Sequence, residues 1–290
     1  MSRPVRPLLA YAVTELRDAG IESPEQDARV LLSLACDIEP ARLPLLDAVT
    51  DDQADLFESM VILRAVRTPL QHLTGRAYFR HVELAVGPGV FVPRPETEVM
   101  TGWAIEQLRP MAWEMQRPLV VELCAGSGAI AKALYDELPR RVRLHAVELS
   151  EDAASWALRN LRDTSVEVHV GDMATALPEL DGTVDLVIAN PPYIPLDAYE
   201  SVPPEVRDHD PALALFSGAD GLDAIRVLVR TATRLLKPGG LLCFEHADAQ
   251  GESAPAVVTA AGGFSAVRDH PDLTGRPRFV TAVRRLAARR

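Results

Sequence analysis

The chain has 290 residues, 48% hydrophobic and 24% charged, enough to bury one large core or two smaller ones. A formal net charge of −11 without a basic stripe argues against a stable surface for long nucleic acid. Cys36, Cys124 and Cys243 are odd in number and far apart, which argues against a disulfide framework; no CxxC pair or HExxH helix points to zinc, and no apolar run approaches membrane-spanning length.

No signal-peptide cleavage pattern follows the N-terminus, so the expectation is a reduced, soluble, cytoplasmic protein with no metal and no membrane contact. Residues 7 to about 67 carry helical spacing and no strand signal, which predicts a small helical bundle. Leu8, Leu9, Ala12 and Leu16 share one face of a first helix that Gly20 is placed to stop. Ser23 and Pro24 read as N-cap and first position of a second helix, and a third spans "DDQADLFESMVILRAVR". From Leu73 the texture alternates and is broken by Gly87-Pro88-Gly89, which predicts a β-hairpin joining two domains. The expected division is 1–72 helical, 73–93 hairpin linker and 94–290 catalytic domain.

After Pro95 strands and helices alternate: "LVVELC", "GAIAKALYDEL", "RLHAVELS", "EDAASWALRNL", "VEVHVGD", "VDLVIAN", then "GLDAIRVLVRTATRLL" closed by "KPGG", and "GLLCFEHA". This order predicts an α/β doubly wound, mostly parallel sheet covered on both faces. "RPRFVTAVRRL" follows too closely for a crossover helix and should enter antiparallel. The arginines of the terminal "RRLAARR" read as a solvated chain end.

"VVELCAGSGAI" sets a small-residue turn between a strand and a helix, where Gly126 and Gly128 let the backbone bend and approach a ligand. No Lys-Ser/Thr follows, so it is not a phosphate cradle of the GxxxxGK[ST] type. Glu148 ends the next strand, placed to accept from ribose hydroxyls, and Asp172 ends the third, placed for an adenine amino group. Their structural alternatives are a helix N-terminal charge and an Asx turn. The set fits an adenosine ligand without phosphates as well as NAD. It fits S-adenosylmethionine better, because Glu122 adds an acid for a cationic end.

"DLVIANPPYIP" ends a strand on a side-chain amide. Asn190 offers a carbonyl acceptor; Pro191 and Pro192 have no N–H, leave only carbonyl oxygens and stiffen the loop; Tyr193 adds a flat face. Such a rim suits a planar –NH2 group, with one N–H on Asn190 Oδ1 and the other on the Pro191 carbonyl. Both bonds orient the nitrogen lone pair and favour the positive charge that grows on it during transfer.

"NPPYIP" together with "FVPRPETE", "PLQHLTGRAYF", "DPALALFSGADGLDAIR", "LLKPGGLLCFEHADAQG" and "DLTGRPRFVTA" resembles the HemK-type release-factor glutamine N5-methyltransferases almost end to end. The resemblance implies a class I S-adenosylmethionine-dependent methyltransferase fold, a seven-stranded sheet with an antiparallel last strand, and a helical substrate-recognition domain. It implies methyl transfer to the Gln amide of the Gly-Gly-Gln loop in class I peptide chain release factors, with S-adenosylhomocysteine as product. By position, Cys124, Ala125, Gly126, Ser127 and Gly128 would line the methionine part of the cofactor. Glu148 would hold the ribose, Asp172 and Met173 would flank the adenine, and Asn190 through Tyr193 would grip the glutamine amide. Departures from the family pattern are Glu122-Leu123-Cys124-Ala125-Gly126 at the turn, Ala247 where Gly is usual, and Asp210 where Glu often precedes Pro211.

A ribosomal-protein glutamine methyltransferase shares this chemistry, and an N6-adenine DNA methyltransferase shares the amine pocket but needs a phosphate-binding surface that the acidic chain lacks. A NAD-dependent oxidoreductase would need a fuller glycine motif and a proton donor; Ala131 stands where its third small residue would fall. Intact Asn190 and Gly126 argue against a non-catalytic adaptor that only binds release factors.

Overall fold

The computed structural model describes residues 2–114, 117–138 and 141–286. They form two units, Met1–Arg76 with Pro203–His209, and Ala77–Val202 with Asp210–Arg290. In the first, β1 (Ser2–Pro4) leads into α1 (Val5–Asp18) and α2 (Pro24–Ala35), followed by β2 (Ala48–Thr50), α3 (Asp51–Ala65) and α4 (Leu70–Thr74). Leu8, Ala12 and Leu16 are buried on α1 as their spacing predicts, while Leu9 is half-buried. Gly20 follows α1 at φ +72°, with its N–H on the Arg17 carbonyl.

Two local expectations change. Ser23 stands at the N-cap of α2 but its side chain makes no capping bond. The reciprocal cap is at α3, where Thr50 Oγ1 accepts from the Gln53 N–H at 3.3 Å and Gln53 Oε1 from the Thr50 N–H at 2.9 Å. The helical unit also contains strands: β1 and β2 pair antiparallel through Ser2–Thr50, Arg3–Val49 and Pro4–Ala48, a ladder too short to leave an alternating pattern. Arg64 is buried in this unit, with its Nε 2.8 Å from Asp27 Oδ2 and its Nη1 3.1 Å from Glu205 Oε1. Two partners are what a buried guanidinium needs to offset its desolvation.

In the second unit β3 (Arg76–Phe79) and β4 (Val82–Ala85) form the hairpin. Its turn is at Arg80-His81, not at Gly87-Pro88-Gly89, which bends the chain after β4. Arg80 holds φ +52° because tertiary bonds fix it: its N–H donates to Glu98 Oε1 at 3.0 Å and its Nη2 to Glu137 Oε2 at 2.9 Å. Local propensity carries no trace of those partners.

Next come α5 (Pro95–Trp113), which the sequence reading leaves unassigned, then β5 (Leu119–Leu123), α6 (Ala129–Glu137), β6 (Arg143–Glu148), α7 (Glu151–Leu161), β7 (Glu167–Val170) and β8 (Val184–Ala189). After α8 (Pro204–Arg207), which belongs to the first unit, the remaining elements are α9 (Ala212–Leu215), α10 (Asp223–Leu235), β9 (Leu236–Glu245), α11 (Ser253–Ala260), β10 (Phe264–Pro271) and β11 (Pro277–Arg284). They build a seven-stranded sheet in the order β10-β11-β9-β8-β5-β6-β7. β5 to β9 run parallel and β11 runs antiparallel to both β9 and β10, so the expected sheet with its antiparallel last strand is the one that forms. "KPGG" does not close α10; it lies inside β9, where pairing shifts from Val184–Leu236 to Leu186–Leu241. The unpaired residues form a bulge that absorbs Pro238 and both glycines.

Every residue of β5 and β8 is buried, as expected for central parallel strands covered on both faces. Val120, Leu186 and Ile188 meet α5 and α6 on one side; Val121 and Val187 meet α10 on the other. Of the terminal arginine cluster, residues 287–290 lie outside the described residues. No helix among the described residues is long and apolar enough to cross a membrane.

Candidate active site

The strand order reverses between the parallel neighbours β5 and β8, the switch point at whose carboxyl edge ligands bind in open α/β sheets. Leu123 pairs with Val147 of β6 on one side and with Ala189 of β8 on the other. The turn after β5, Glu148 and Asn190 therefore leave neighbouring strands at one level. Glu148 pairs with Val170 of β7, which brings Asp172 to the same edge.

Glu148 fixes the glycine turn. Its Oε2 accepts from the Gly126 N–H at 2.7 Å and its Oε1 from the Ser150 N–H at 2.8 Å. A carboxylate oxygen has a second lone pair, so both remain able to accept from hydroxyls. The two glycines have different duties. At Gly126, φ +55°, an added Cβ would meet nothing within 4 Å: the space before the turn is open. At Gly128, φ +76°, it would meet Leu161 Cδ1 at 2.8 Å, so this glycine serves helix packing. Ala125 is buried and donates its N–H to the Val147 carbonyl at 3.0 Å. Ser127 is buried, and its carbonyl accepts from Asn160 Nδ2 at 2.9 Å.

Cys124 adopts φ +57°, the left-handed backbone for which glycine is the low-cost residue. Its Sγ lies 3.8 Å from Met173 Sδ. Burial, then the charges of Glu148, Glu122 and Asp172, push the thiol up, so it stays neutral and poorly nucleophilic. Glu122 lies under the turn, 1% exposed, with its Oε2 accepting from the Ala131 N–H at 2.8 Å. Burial foremost, with Glu148 adding to it against that hydrogen bond, raises its pKa to about 8. Asp172 is exposed and forms an Asx turn, with Oδ1 accepting from the Ala174 N–H at 2.8 Å.

The Asn190–Tyr193 segment is held by residues that the sequence reading did not single out. Asn190 Nδ2 donates to Thr97 Oγ1 at 3.1 Å, and Thr97 Oγ1 donates to Glu245 Oε2 at 2.6 Å. Tyr193 donates its hydroxyl to Glu245 Oε1 at 2.9 Å. The Tyr193 carbonyl accepts from Gln250 Nε2 at 3.0 Å. Glu245 is 1% exposed, and burial raises its pKa despite the hydroxyls of Thr97 and Tyr193. Burial also raises Tyr193 well above a free phenol, so it remains a donor. Pro191 is buried and Pro192 half-buried, and no donor among the described residues reaches Asn190 Oδ1 or the Pro191 carbonyl. The signals were present in the quoted motifs: Thr97 belongs to "RPETE", Glu245 and Gln250 to "EHADAQG".

The departures noted in the sequence find places here. Ala247 has φ −68°, which any residue adopts. Asp210 is covered and accepts from Arg94 Nη2 at 2.6 Å, fastening "RPETE" from its other end. Away from this edge, His145, Glu167 and His169 cluster on β6 and β7. The ring centroids are 5.3 Å apart and Nδ1 of His145 is 3.0 Å from Nε2 of His169, as in two imidazoles joined edge to edge by one N–H···N bond.

Known proteins match the chain along nearly its whole length. Residues 7–75 match the PrmC N-terminal domain and residues 120–209 a methyltransferase domain. A release factor glutamine methyltransferase of Streptomyces coelicolor is 54% identical over 275 residues, covering 94% of this chain and 96% of that protein. One of Mycolicibacterium smegmatis is 44% identical over 282 residues, covering 97% and 98%. A 4-amino-L-phenylalanine/4-methylamino-L-phenylalanine methyltransferase of Streptomyces pristinaespiralis is 42% identical over 285 residues, covering 96% of each. With likeness of this degree along nearly its whole length, the chain belongs to the release factor glutamine methyltransferase family.

Proposed function

We propose that this protein transfers a methyl group from S-adenosylmethionine to the side-chain amide nitrogen of a release-factor glutamine, in the Gly-Gly-Gln loop of class I factors. One observation carries the reading: Asn190 has its amide nitrogen engaged by Thr97, so its Oδ1 is the atom left for an incoming N–H donor beside the glycine turn.

The residues present fit the cofactor. The open space before Gly126 admits a ligand close to backbone, Glu148 has lone pairs left for ribose hydroxyls, and Asp172 and Met173 flank the next strand end for the adenine. Cys124 through Gly128 would line its methionine part. When bound, the cofactor supplies an electrophilic methyl on a sulfonium.

The acceptor needs more help, because an amide lone pair is delocalised into its carbonyl. Asn190 Oδ1 and the Pro191 carbonyl accept both N–H hydrogens, turn the nitrogen toward the donor and stabilise charge as it appears there. The Tyr193 ring, anchored through its hydroxyl, flanks the flat amide. The nitrogen gains the methyl as the sulfonium S–C bond breaks, and, cationic after transfer, it is acidic enough to release one of its N–H protons to water, so no strong base is required: the contribution is position and fixed dipoles.

The test is mass spectrometry of purified release factor after incubation with the protein and methyl-labelled cofactor. Label on the glutamine of the Gly-Gly-Gln peptide is the expected result. Three parallel reactions, with 4-amino-L-phenylalanine, with ribosomal proteins and with DNA, contain the alternatives. Label in any of them and none on the release factor overturns the assignment.

A further inference from the structure

A threonine hydroxyl has a single proton, and an ionised carboxylate can only accept. Thr97 therefore gives its proton to Glu245 Oε2, 2.6 Å away. Its oxygen is left as an acceptor toward Asn190 at 3.1 Å, and only the amide nitrogen can meet it. While Glu245 is ionised, the orientation of the Asn190 side chain is thus set two bonds away, by a buried carboxylate that need touch neither reactant.

We propose that Glu245 is the positioning residue of this site: acting through Thr97, it fixes which end of the Asn190 amide faces the acceptor nitrogen. The proposal rests on the reading of Asn190 given above. If the relay ran the other way, Asn190 would present N–H groups to the N–H groups of the incoming amide, and the grip would become repulsion. The same carboxylate takes the Tyr193 hydroxyl on its other oxygen at 2.9 Å. Both ends of the Asn190–Tyr193 segment hang from one side chain at the end of β9. That side chain is 1% exposed, and Thr97, its link to Asn190, is 4% exposed. Gln250 holds the Tyr193 carbonyl independently, so the loop keeps its backbone course when the relay is cut.

Thr97→Val keeps the shape of the side chain and removes only the hydroxyl; Thr97→Ser restores it. With the full chain and intact release factor, Thr97→Val should lower kcat by roughly a hundredfold, the loss typical of one preorganised hydrogen-bonding group. Cofactor affinity by calorimetry should stay within about twofold and Thr97→Ser should recover most of kcat, since the ribose and adenine contacts lie elsewhere. Glu245→Gln can turn a donor toward Thr97 and should also lose kcat with cofactor affinity kept. A second readout needs no turnover. In 15N NMR of the cofactor-bound protein, one proton of the Asn190 side-chain NH2 should be protected from exchange in wild type and Thr97→Ser, and unprotected in Thr97→Val. Unchanged protection in Thr97→Val overturns the inference, as does loss of kcat, cofactor affinity and Tm together without rescue by serine. A wild-type protein that labels no release factor overturns the proposed function instead, while the exchange result still decides the orientation of Asn190.

Discussion

Leu123 of β5 and Ala189 of β8 are direct partners in the sheet, so the glycine turn and Asn190 leave adjacent strands at the same height. Backbone pairing thereby sets the proposed sites of the methyl donor and of the acceptor amide side by side. Side chains at either strand end can be altered without moving the other.

That separation predicts the outcome of Asn190→Ala. Cofactor affinity should be nearly unchanged while methyl transfer falls by about a hundredfold or more, as for loss of one preorganised group. Calorimetry and steady-state kinetics on the same preparation check it. Equal loss of both would mean that the residue is structural.

Gly126 and Gly128 should fail differently. Alanine at either must adopt a left-handed backbone, which costs roughly 1–2 kcal/mol. At Gly128 the new Cβ also presses on Leu161 at 2.8 Å, and overpacking adds roughly 1–3 kcal/mol. Gly126→Ala should therefore weaken cofactor binding more than folding, and Gly128→Ala the reverse. Denaturant melts beside binding isotherms would expose the contrast; matching profiles would refute it.

Glu148→Gln leaves one oxygen for the two backbone N–H groups that the carboxylate serves and puts a donor beside one of them. Hydrogen bonds to a charged group contribute roughly 1.5–3 kcal/mol, so the cofactor Kd should rise about ten- to a hundredfold. An unaltered isotherm would remove Glu148 from the binding site.

Glu122 makes stability depend on pH. Its carboxyl titrates at about 8 in the fold against 4.5 for a free side chain, so the folded state holds the proton more tightly. The associated stability is complete below pH 4.5 and is lost as the pH rises toward 8. Glu122→Gln keeps an oxygen for the Ala131 N–H and cannot ionise. The variant and wild type should melt together near pH 5, and the variant should melt higher by roughly 4 °C or more at pH 8.5. Parallel melting curves across that range would show that Glu122 ionises without cost.

The alternation of strands and helices was legible because period and punctuation are local properties. The Asn190-Pro191-Pro192-Tyr193 segment was legible because a strand that ends on an amide and prolines invites a chemical explanation. What stayed hidden depends on distant partners. Arg80 turns the hairpin because Glu98 and Glu137 hold it. Thr97 and Glu245 looked like ordinary members of longer motifs, and their coupling to Asn190 exists only once β8, β9 and α5 converge. Asp172 was legible as two things at once, and its Asx turn is one of them.

The place of β11 has a consequence for how this protein is made. Among the described residues, β11 is the last strand of the sheet to be reached along the chain, yet it lies inside the sheet, between β9 and β10, and is the one strand paired with β10. During synthesis the ribosome delivers the other six strands of this sheet first, so the nascent sheet waits with an unsatisfied edge at Leu242 and Phe244. A message truncated before residue 277 would leave that edge permanently bare. Such a product should be cleared by proteases or aggregate rather than persist as a weakened enzyme.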